Sequence, residues 1–245
     1  MKLLIDAGNT RLKWRIQERG CVLWEGIGAF GGGQLNFPDS GAFKTKIARV
    51  AISTVADEGR RLRLLDELGQ WTGAPVNFYW AESQRGGLKN AYSDAERMGA
   101  DRWHAMYGAW QRYRRGFVVI DAGSATTIDY VDAGGVHLGG YILPGLQMML
   151  RSLRTDAARI GFDPQQVLDV NPGATTGECV HHGLSWLSAA LIERVHQDSV
   201  RLGIPDILVA GGDGPRLLDL GLQGIHCPHL VLEGLAAVDD EGFPE

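Results

Sequence analysis

The chain has 245 residues, a length that suits one large domain or two small ones. Lysine and arginine total 24 against 29 aspartates and glutamates, so the net charge is −5 and no basic excess exists to neutralise nucleic acid. Apolar residues make up 44% and charged residues 22%, a composition that excludes a largely disordered chain. No apolar run approaches the roughly 20 residues that cross a bilayer, so we expect no membrane partner.

The cysteines and the N-terminus predict the compartment. Cys21, Cys179 and Cys227 are far apart and odd in number, so they form neither a disulfide framework nor a CxxC pair. Asp6 interrupts the apolar stretch that a signal peptide would need. We therefore expect a cytoplasmic protein.

In chain order, the first half predicts a β-meander followed by alternating strands and helices. Residues 3–7 are an apolar run typical of a buried strand, and residues 12–16 alternate as a half-buried strand does. A third strand is expected at 22–27 and a flexible glycine loop at 31–33. Further strands are predicted at 47–55 and 76–80, helices at 57–70 and 101–115, and a mostly loop segment at 83–100.

A short repeat indicates that the second half copies the first. The tetrapeptide Ile-Asp-Ala-Gly at 5–8 recurs at 120–123, each time after an apolar run and before hydroxyl-bearing residues and a second strand. Internal repetition of this kind predicts two similar domains, 1–115 and 116–245. The second half continues with strands at 126–131, 136–142 and 207–210 and helices at 144–158, 173–202 and 230–238.

The first acidic turn has the residues that a phosphate site needs. Gly8 allows backbone N–H groups to approach an anion closely, and Lys13 supplies a point charge. Asp6 is suited to holding a divalent cation through water. A plain hairpin turn explains the same residues, but the second copy beginning at Asp121 favours a nucleotide held between two duplicated domains.

Four motifs together carry a resemblance to a known family. They are Asp-Ala-Gly-Asn-Thr at 6–10, Gly-Ala-Asp-Arg at 99–102, Asp-Ala-Gly-Ser at 121–124 and Gly-Gly-Tyr-Ile-Leu-Pro-Gly at 139–145. With them the chain resembles the type III pantothenate kinases, within the actin, sugar kinase and Hsp70 ATPase superfamily, over residues 1–238. The Gly-Xaa-Asp-Arg element is specific to that kinase family, whereas the Asp-Xaa-Gly turn marks only the superfamily.

The resemblance implies an α/β fold of two duplicated ribonuclease H-like domains with a nucleotide cleft between them. It also implies an enzyme that uses ATP to phosphorylate the primary hydroxyl of pantothenate to 4'-phosphopantothenate, the first step of coenzyme A biosynthesis. The first domain would carry the phosphate-binding and substrate turns, and the second the cation site and the adenosine-side turn at 211–213. The implied assembly is a homodimer.

Roles for single residues follow from the same resemblance. Asp101 matches the catalytic base, Asp121 the monovalent-cation site for potassium or ammonium, and Asp6 lies where magnesium accompanies ATP. The implied ATP-binding residues are Asp6, Ala7, Gly8, Asn9, Thr10, Arg11, Leu12, Lys13 and Ser124, the last standing where the family usually has threonine. The implied substrate-binding residues are Tyr92, Gly99, Ala100, Asp101, Arg102 and Thr176, with Thr175 an adjacent alternative to Thr176.

Physical reasoning leaves several of these residues with two interpretations. Asp101 opens a predicted helix, where aspartate also serves as a plain N-cap. Arg102 beside it offers a planar fork suited to a substrate carboxylate. The apolar face of the helix at 184–200 either packs subunits together or is buried within one chain. The basic cluster of Arg60, Arg61 and Arg63 is interpreted as an exposed helix face.

Two other functions compete with the pantothenate kinase hypothesis. Another small-molecule kinase of the superfamily, such as a sugar kinase, would give Arg102 no carboxylate to bind. A non-catalytic nucleotide-binding regulator has no use for a catalytic base, and the net charge of −5 disfavours contact with DNA.

Overall fold

The computed structural model describes residues 1–29, 37, 45–156 and 168–243. The loop predicted at 31–33 and the end of the helix predicted to reach 158 lie outside the described residues. The chain divides into two compact units, one formed by Met1–Arg114 with His229–Glu245 and the other by Arg115–Pro228.

The first unit is built on a five-stranded sheet in the order β3-β2-β1-β4-β5. Its strands are β1 (Lys2–Ala7), β2 (Arg11–Glu18), β3 (Cys21–Ala29), β4 (Arg49–Thr54) and β5 (Val76–Tyr79). The first three form the predicted antiparallel meander, and β4 and β5 add parallel strands on the other side of β1. The carboxyl ends of β1 and β4 therefore meet at one edge of the sheet.

Helices α1 (Glu58–Trp71) and α2 (Ala100–Tyr113) follow β4 and the β5 region. One sheet face buries Leu3, Ile5 and Ile52 against Leu64 and Leu68 of α1, the apolar positions of an amphipathic helix. The segment predicted as loop also contains a small hairpin, β6 (Gln84–Arg85) with β7 (Leu88–Lys89), and a short 3-10 turn at Ala95–Arg97. Two-residue strands leave too little alternation for a sequence pattern to indicate them.

The second unit repeats the topology of the first. Its sheet order is β10-β9-β8-β11-β12, with β8 (Phe117–Ala122), β9 (Ala125–Val131), β10 (His137–Pro144), β11 (Asp206–Ala210) and β12 (Ile225–His226). Helices α3 (Leu146–Asp156), α4 (Thr176–Leu202) and α5 (Gly214–Asp219) belong to this unit. The matching strand orders confirm the predicted duplicated α/β fold. No helix in the described ranges combines the length and the hydropathy of a membrane span.

The last helix, α6 (Leu230–Gly242), packs in the first unit rather than continuing the second. It crosses α2 so closely that a Cβ on Gly234 would lie 1.8 Å from the carbonyl oxygen of His104. The buried Asp239 accepts hydrogen bonds from Arg49 Nε at 2.8 Å and Tyr79 Oη at 2.9 Å. The second compact unit therefore ends at Pro228, whereas the predicted second domain runs over 116–245. The apolar pattern of a helix does not indicate which sheet that helix will cover.

Candidate active site

The predicted phosphate-binding segment forms the turn between β1 and β2. Antiparallel pairing sets Asp6 directly opposite Lys13, so both side chains leave the same face of the sheet. The Gly8 N–H donates to the Arg11 carbonyl at 3.1 Å and closes the turn. A Cβ on Gly8 would lie 3.1 Å from that same oxygen, which favours glycine there. The strand end therefore presents a carboxylate and an ammonium group together.

The other residues of this segment divide into buried and exposed ones. Ala7 and Leu12 are fully buried, so their side chains serve the core and only their backbone is available to a ligand. Asn9, Thr10 and Arg11 are exposed. Asp6 and Lys13 are half-buried. The turn thus combines buried apolar side chains with exposed polar ones.

The Gly-Ala-Asp-Arg motif opens helix α2. Gly99 is the N-cap residue and makes no side-chain cap, so the interpretation of Asp101 as an N-cap is wrong. Asp101 lies in the first helical turn, where its Oδ1 accepts from the Arg102 N–H at 2.7 Å. A Cβ on Gly99 would lie 2.6 Å from that carboxylate oxygen. Glycine allows the carboxylate to fold over it in this position. With φ of −58° the backbone is unstrained.

Both turns lie at the same edge of the first sheet. Val55, directly after β4, donates its N–H to the Ala7 carbonyl at 3.3 Å. A Cβ on Gly99 would lie 3.4 Å from Val55 Cγ1. Val55 thus touches the end of β1 on one side and the start of α2 on the other. The parallel pairing of β1 with β4 brings the turn between β1 and β2 and the Asp101 turn into one neighbourhood.

Arg102 and Tyr92, both predicted to bind substrate, are in contact. Arg102 is 6% exposed; its Nη1 donates to Tyr92 Oη at 2.9 Å, and its guanidinium carbon lies 5.7 Å from the ring centroid. Asn90 shapes the loop by accepting from the Tyr92 N–H at 3.0 Å and donating to the Glu82 carbonyl at 3.1 Å. Sequence analysis missed Asn90. A buried guanidinium beside a phenol is suited to binding a carboxylate.

His104, one turn after Asp101, is a second residue that sequence analysis missed. It is fully buried, and its Nδ1 lies 2.8 Å from the hydroxyl of Ser53 at the end of β4. Burial lowers the pKa of His104 to about 3, aided by the positive charge of Arg85 and opposed by a backbone hydrogen bond to Ala100. The neutral imidazole links the start of α2 to the strand beside Asp6. A single histidine within an apolar helix pattern does not indicate a contact with Ser53.

The second acidic turn lies at the equivalent end of β8. Asp121 stands opposite Thr127 in the antiparallel register, and the Gly123 N–H donates to the Ala125 carbonyl at 2.9 Å. The Gly145 N–H donates to the Ser124 carbonyl at 3.1 Å. A Cβ on Gly145 would lie 2.3 Å from the Gly123 carbonyl oxygen, so the last glycine of the 139–145 motif allows the two segments to touch.

The turn predicted to lie beside adenosine meets the same strand end. The Asp213 N–H donates to the Ala122 carbonyl at 2.9 Å. Gly211 has φ of +83°, and a Cβ there would lie 2.3 Å from the Ala122 carbonyl oxygen. Both the conformation and the close approach require glycine. Three motifs that are far apart in sequence thus gather at one edge of the second sheet.

Thr175 and Thr176 have different roles in helix α4. Thr175 is the N-cap: its Oγ1 accepts from the Glu178 N–H at 3.3 Å, and Glu178 Oε2 accepts from the Thr175 N–H at 3.2 Å. This capping box occupies the Thr175 side chain. Thr176 is exposed and is the first residue of the helix. The geometry therefore favours Thr176 over Thr175 as the hydroxyl available to a ligand.

The carboxylates predicted to hold cations, Asp6 and Asp121, belong to no larger cluster of metal-ligating side chains in the described ranges. Within the ranges given above, no group of three or more His, Cys, Asp or Glu residues could hold a metal ion. Asp6 and Asp121 each offer carboxylate oxygens, the donors that hard cations prefer. They fit cations whose remaining ligands come from phosphate, water or main-chain oxygens, rather than an all-protein cage.

The paired sheets and their acidic turns define the sugar kinase and actin-like class of fold. The chain is similar to a protein from Sinorhizobium meliloti described as a 2-dehydro-3-deoxygalactonokinase, with 14% identity, a TM-score of 0.60 and 100% of each chain covered. It is also similar to a protein from Campylobacter jejuni assigned to the Baf transcriptional activator family, with 20% identity, a TM-score of 0.59 and 98% of each chain covered. At these identities the likeness shows the fold alone.

Sequence comparison then gives the family. The profile of the type III pantothenate kinases matches residues 2–198. The type III pantothenate kinase of Marinobacter nauticus is 52% identical over 242 residues, 99% of each chain. That of Cellvibrio japonicus is 35% identical, over 96% of this chain and 95% of the relative. The chain belongs to the type III pantothenate kinase family.

Proposed function

We propose that this protein transfers the terminal phosphoryl group of ATP to the primary hydroxyl of pantothenate. The product is 4'-phosphopantothenate, and the reaction is the first step of coenzyme A biosynthesis. Family membership supports the reaction. The observation that carries it is the start of α2, where the Asp101 carboxylate accepts from the Arg102 backbone N–H and the Arg102 guanidinium donates to Tyr92.

Asp101 is the proposed catalytic base. Its carboxylate is fixed over Gly99 by the Arg102 N–H, so it is oriented before substrate arrives. Phosphoryl transfer proceeds through a loose transition state, in which orienting the hydroxyl matters more than removing its proton early. Asp101 accepts or orients that proton.

Arg102 and Tyr92 are the proposed partners of the pantothenate carboxylate. Successive residues of a helix point about 100° apart, so the side chains of Asp101 and Arg102 leave α2 in different directions. The primary hydroxyl of pantothenate can then contact Asp101 while its carboxylate contacts Arg102. Gly99, Ala100 and Thr176 complete the proposed substrate contacts, Thr176 through its exposed hydroxyl.

Residues 6–13 are proposed to hold the ATP phosphates through the turn backbone and Lys13, which stabilises charge on the transferring phosphoryl group. Asp6 would hold magnesium through water, and Asp121 a potassium or ammonium ion. These cations supply positive charge that offsets the charge of the phosphates. Ser124 as an ATP contact and a nucleotide cleft between the two halves remain predictions from the resemblance.

A homodimer is the proposed assembly, and the protein is proposed to work in the cytoplasm. Leu184 and Val195 pack within the core of their own unit, so they are not available for subunit contact. Other apolar side chains of α4 and β10 are exposed: Trp186 by 62%, Leu187 by 47% and Ile142 by 63%. Exposed apolar side chains mark protein interfaces where they lie together on one surface. Trp186→Glu is expected to produce monomers in sedimentation equilibrium, and a Trp186→Glu dimer would place the interface elsewhere.

The test of the reaction is coupled ADP release with ATP and magnesium, with and without pantothenate, in potassium and in sodium. We expect turnover that needs pantothenate and is faster in potassium. Asp101→Asn is expected to lower turnover by about 10²- to 10⁴-fold while ATP still binds. Turnover with a neutral sugar instead would indicate the sugar kinase alternative, and ATP binding without any turnover would indicate a regulator.

A further inference from the structure

Arg60 of helix α1 contacts the phosphate-binding turn. Its Nη1 donates to the carbonyl oxygen of Asn9, and its Nε lies 3.4 Å from Asp57 Oδ2. The prediction of Arg60, Arg61 and Arg63 as one exposed face is therefore only partly right. Arg60 is 33% exposed and reaches the turn. Arg61 lies with its guanidinium carbon 5.4 Å from the centroid of Trp80.

This contact fixes a peptide plane in the turn. In a planar trans peptide, the carbonyl of Asn9 and the N–H of Thr10 point in opposite directions. Because Arg60 holds the carbonyl, the Thr10 N–H points away from α1. The Gly8 N–H closes the other side of the turn on Arg11. The orientation of the backbone at residues 9 and 10 thus depends on a side chain 51 residues away in sequence.

The hydrogen bond that caps α1 is made by the backbone of Arg60 and not by its side chain. Asp57 caps the helix by accepting from the Arg60 backbone N–H at 2.9 Å, a bond that any residue at position 60 makes. The Arg60 guanidinium contacts the turn and also lies beside the Asp57 carboxylate, an exposed ion pair whose loss costs little stability. An arginine that reaches back from a capped helix to an anion-binding turn has a positioning role.

We propose that Arg60 is a positioning residue for the ATP phosphates, acting by holding the Asn9–Thr10 peptide and by adding positive charge beside the turn. The inference rests on the proposed assignment of residues 6–13 to the phosphates. It adds a second cation to Lys13, from a different element of the same unit. It does not involve the pantothenate contacts around Arg102.

The experiment compares Arg60→Ala, Arg60→Lys and Arg63→Ala with the wild type, and Lys13→Ala serves as the reference for the turn. Steady-state kinetics give kcat and the KM for each substrate, and calorimetry gives the affinity for ATP and for AMP. We expect Arg60→Ala to raise the KM for ATP about tenfold, the size of one lost charge-assisted hydrogen bond. The KM for pantothenate, the affinity for AMP and the melting temperature should stay at wild-type values. Arg60→Lys should recover part of the loss, and Arg63→Ala, exposed on the same helix, should match the wild type.

Two results separate this inference from the assignment on which it rests. If Lys13→Ala weakens ATP binding but Arg60→Ala does not, the role of Arg60 is wrong and the turn assignment stands. If neither variant changes ATP binding, residues 6–13 do not hold the phosphates. Equal losses for ATP, AMP and pantothenate in Arg60→Ala would indicate a general structural effect and would overturn the positioning role.

Discussion

The two units share one strand order but differ in what faces the acidic residue at the end of their first strand. In the first unit Asp6 stands opposite Lys13, and in the second unit Asp121 stands opposite Thr127. The turns also differ in length: Gly8 closes on Arg11, whereas Gly123 closes on Ala125, one residue sooner. The same strand order therefore places a charged lysine opposite the acidic residue in the first unit and a neutral threonine opposite it in the second.

This difference in the opposing residue is consistent with the separate roles proposed for the two turns. A carboxylate beside an ammonium group, with Arg60 touching the same turn, gives the first unit positive groups for phosphate. A carboxylate beside a threonine leaves the second unit's acidic group next to a neutral hydroxyl, which suits a bound cation. Substitutions that exchange the opposing residues test this division directly.

Lys13→Thr gives the first turn the residue of the second and has the largest expected effect among the substitutions that test the comparison of the two units. Loss of the ammonium group removes charge stabilisation from the transferring phosphoryl group, so kcat should fall by about 10²- to 10³-fold. The KM for pantothenate should change little because Arg102 lies on another element. Steady-state kinetics at saturating magnesium measure both. A variant with near wild-type kcat would mean that Lys13 does not act on the phosphates.

Gly99→Ala tests the Asp101 turn, which the second unit does not share. The added Cβ would lie 2.6 Å from Asp101 Oδ1, so the carboxylate must move, while φ of −58° accepts alanine without strain. A shift of about 1 Å in the position of a catalytic group lowers kcat by about 100-fold. Gly69→Ala is the matched control, since it lies in α1 with nothing within 4 Å. Equal activity in the two variants would contradict the role of Asp101.

Thr127→Lys gives the second turn the charge of the first. An ammonium group opposite Asp121 would take the place of the proposed monovalent cation. We expect a variant whose turnover is the same in potassium and in sodium, in contrast to the potassium preference proposed for the wild type. Thr127→Ser, which keeps the hydroxyl, should retain the wild-type preference. A Thr127→Lys enzyme that still responds to potassium would place the ion away from Asp121.

Sequence patterns predicted the parts of the fold that local periodicity controls. The meander, the two acidic turns and the helices beginning near Asp57 and Gly99 lie where alternation, apolar spacing and glycine indicated them. The repeated tetrapeptide predicted the shared topology of the two sheets, because each copy ends a central strand. Tyr92 and Arg102, for which the resemblance implied one shared role, are in contact, and that role stays a prediction.

Other features depend on tertiary packing, and no local pattern carries them. The last helix covers the first sheet because Gly108 and Gly234 let two backbones approach, which periodicity does not reveal. The sequence predicts an exposed Arg60, because its contact with Asn9 joins residues that are 51 positions apart and forms only in the folded chain. Asn90 and His104 act through hydrogen bonds to a loop and to Ser53, and nothing in their neighbouring sequence indicates those partners.

Each unit also buries a histidine, and the two differ in their partners. His104 in the first unit meets the hydroxyl of Ser53, whereas His137 in the second lies 3.0 Å from Asp129 Oδ1. His104 has the smallest expected effect at neutral pH, because its pKa of about 3 keeps it uncharged there. Below pH 6.5 the unfolded chain takes up a proton that the folded chain refuses. The stability contributed by His104 is complete above pH 6.5 and is lost as the pH falls towards 3.

His104→Gln tests this linkage because glutamine keeps a polar side chain and does not titrate. The wild-type free energy of unfolding should fall by about 1.4 kcal/mol per pH unit more steeply than that of the variant between pH 6 and 4. Urea unfolding at several pH values gives both curves. His226→Gln, at an exposed position of β12, should follow the wild-type curve. Parallel curves for wild type and His104→Gln would mean that the folded protein admits the proton, and the buried neutral imidazole between α2 and Ser53 would then not be its native state.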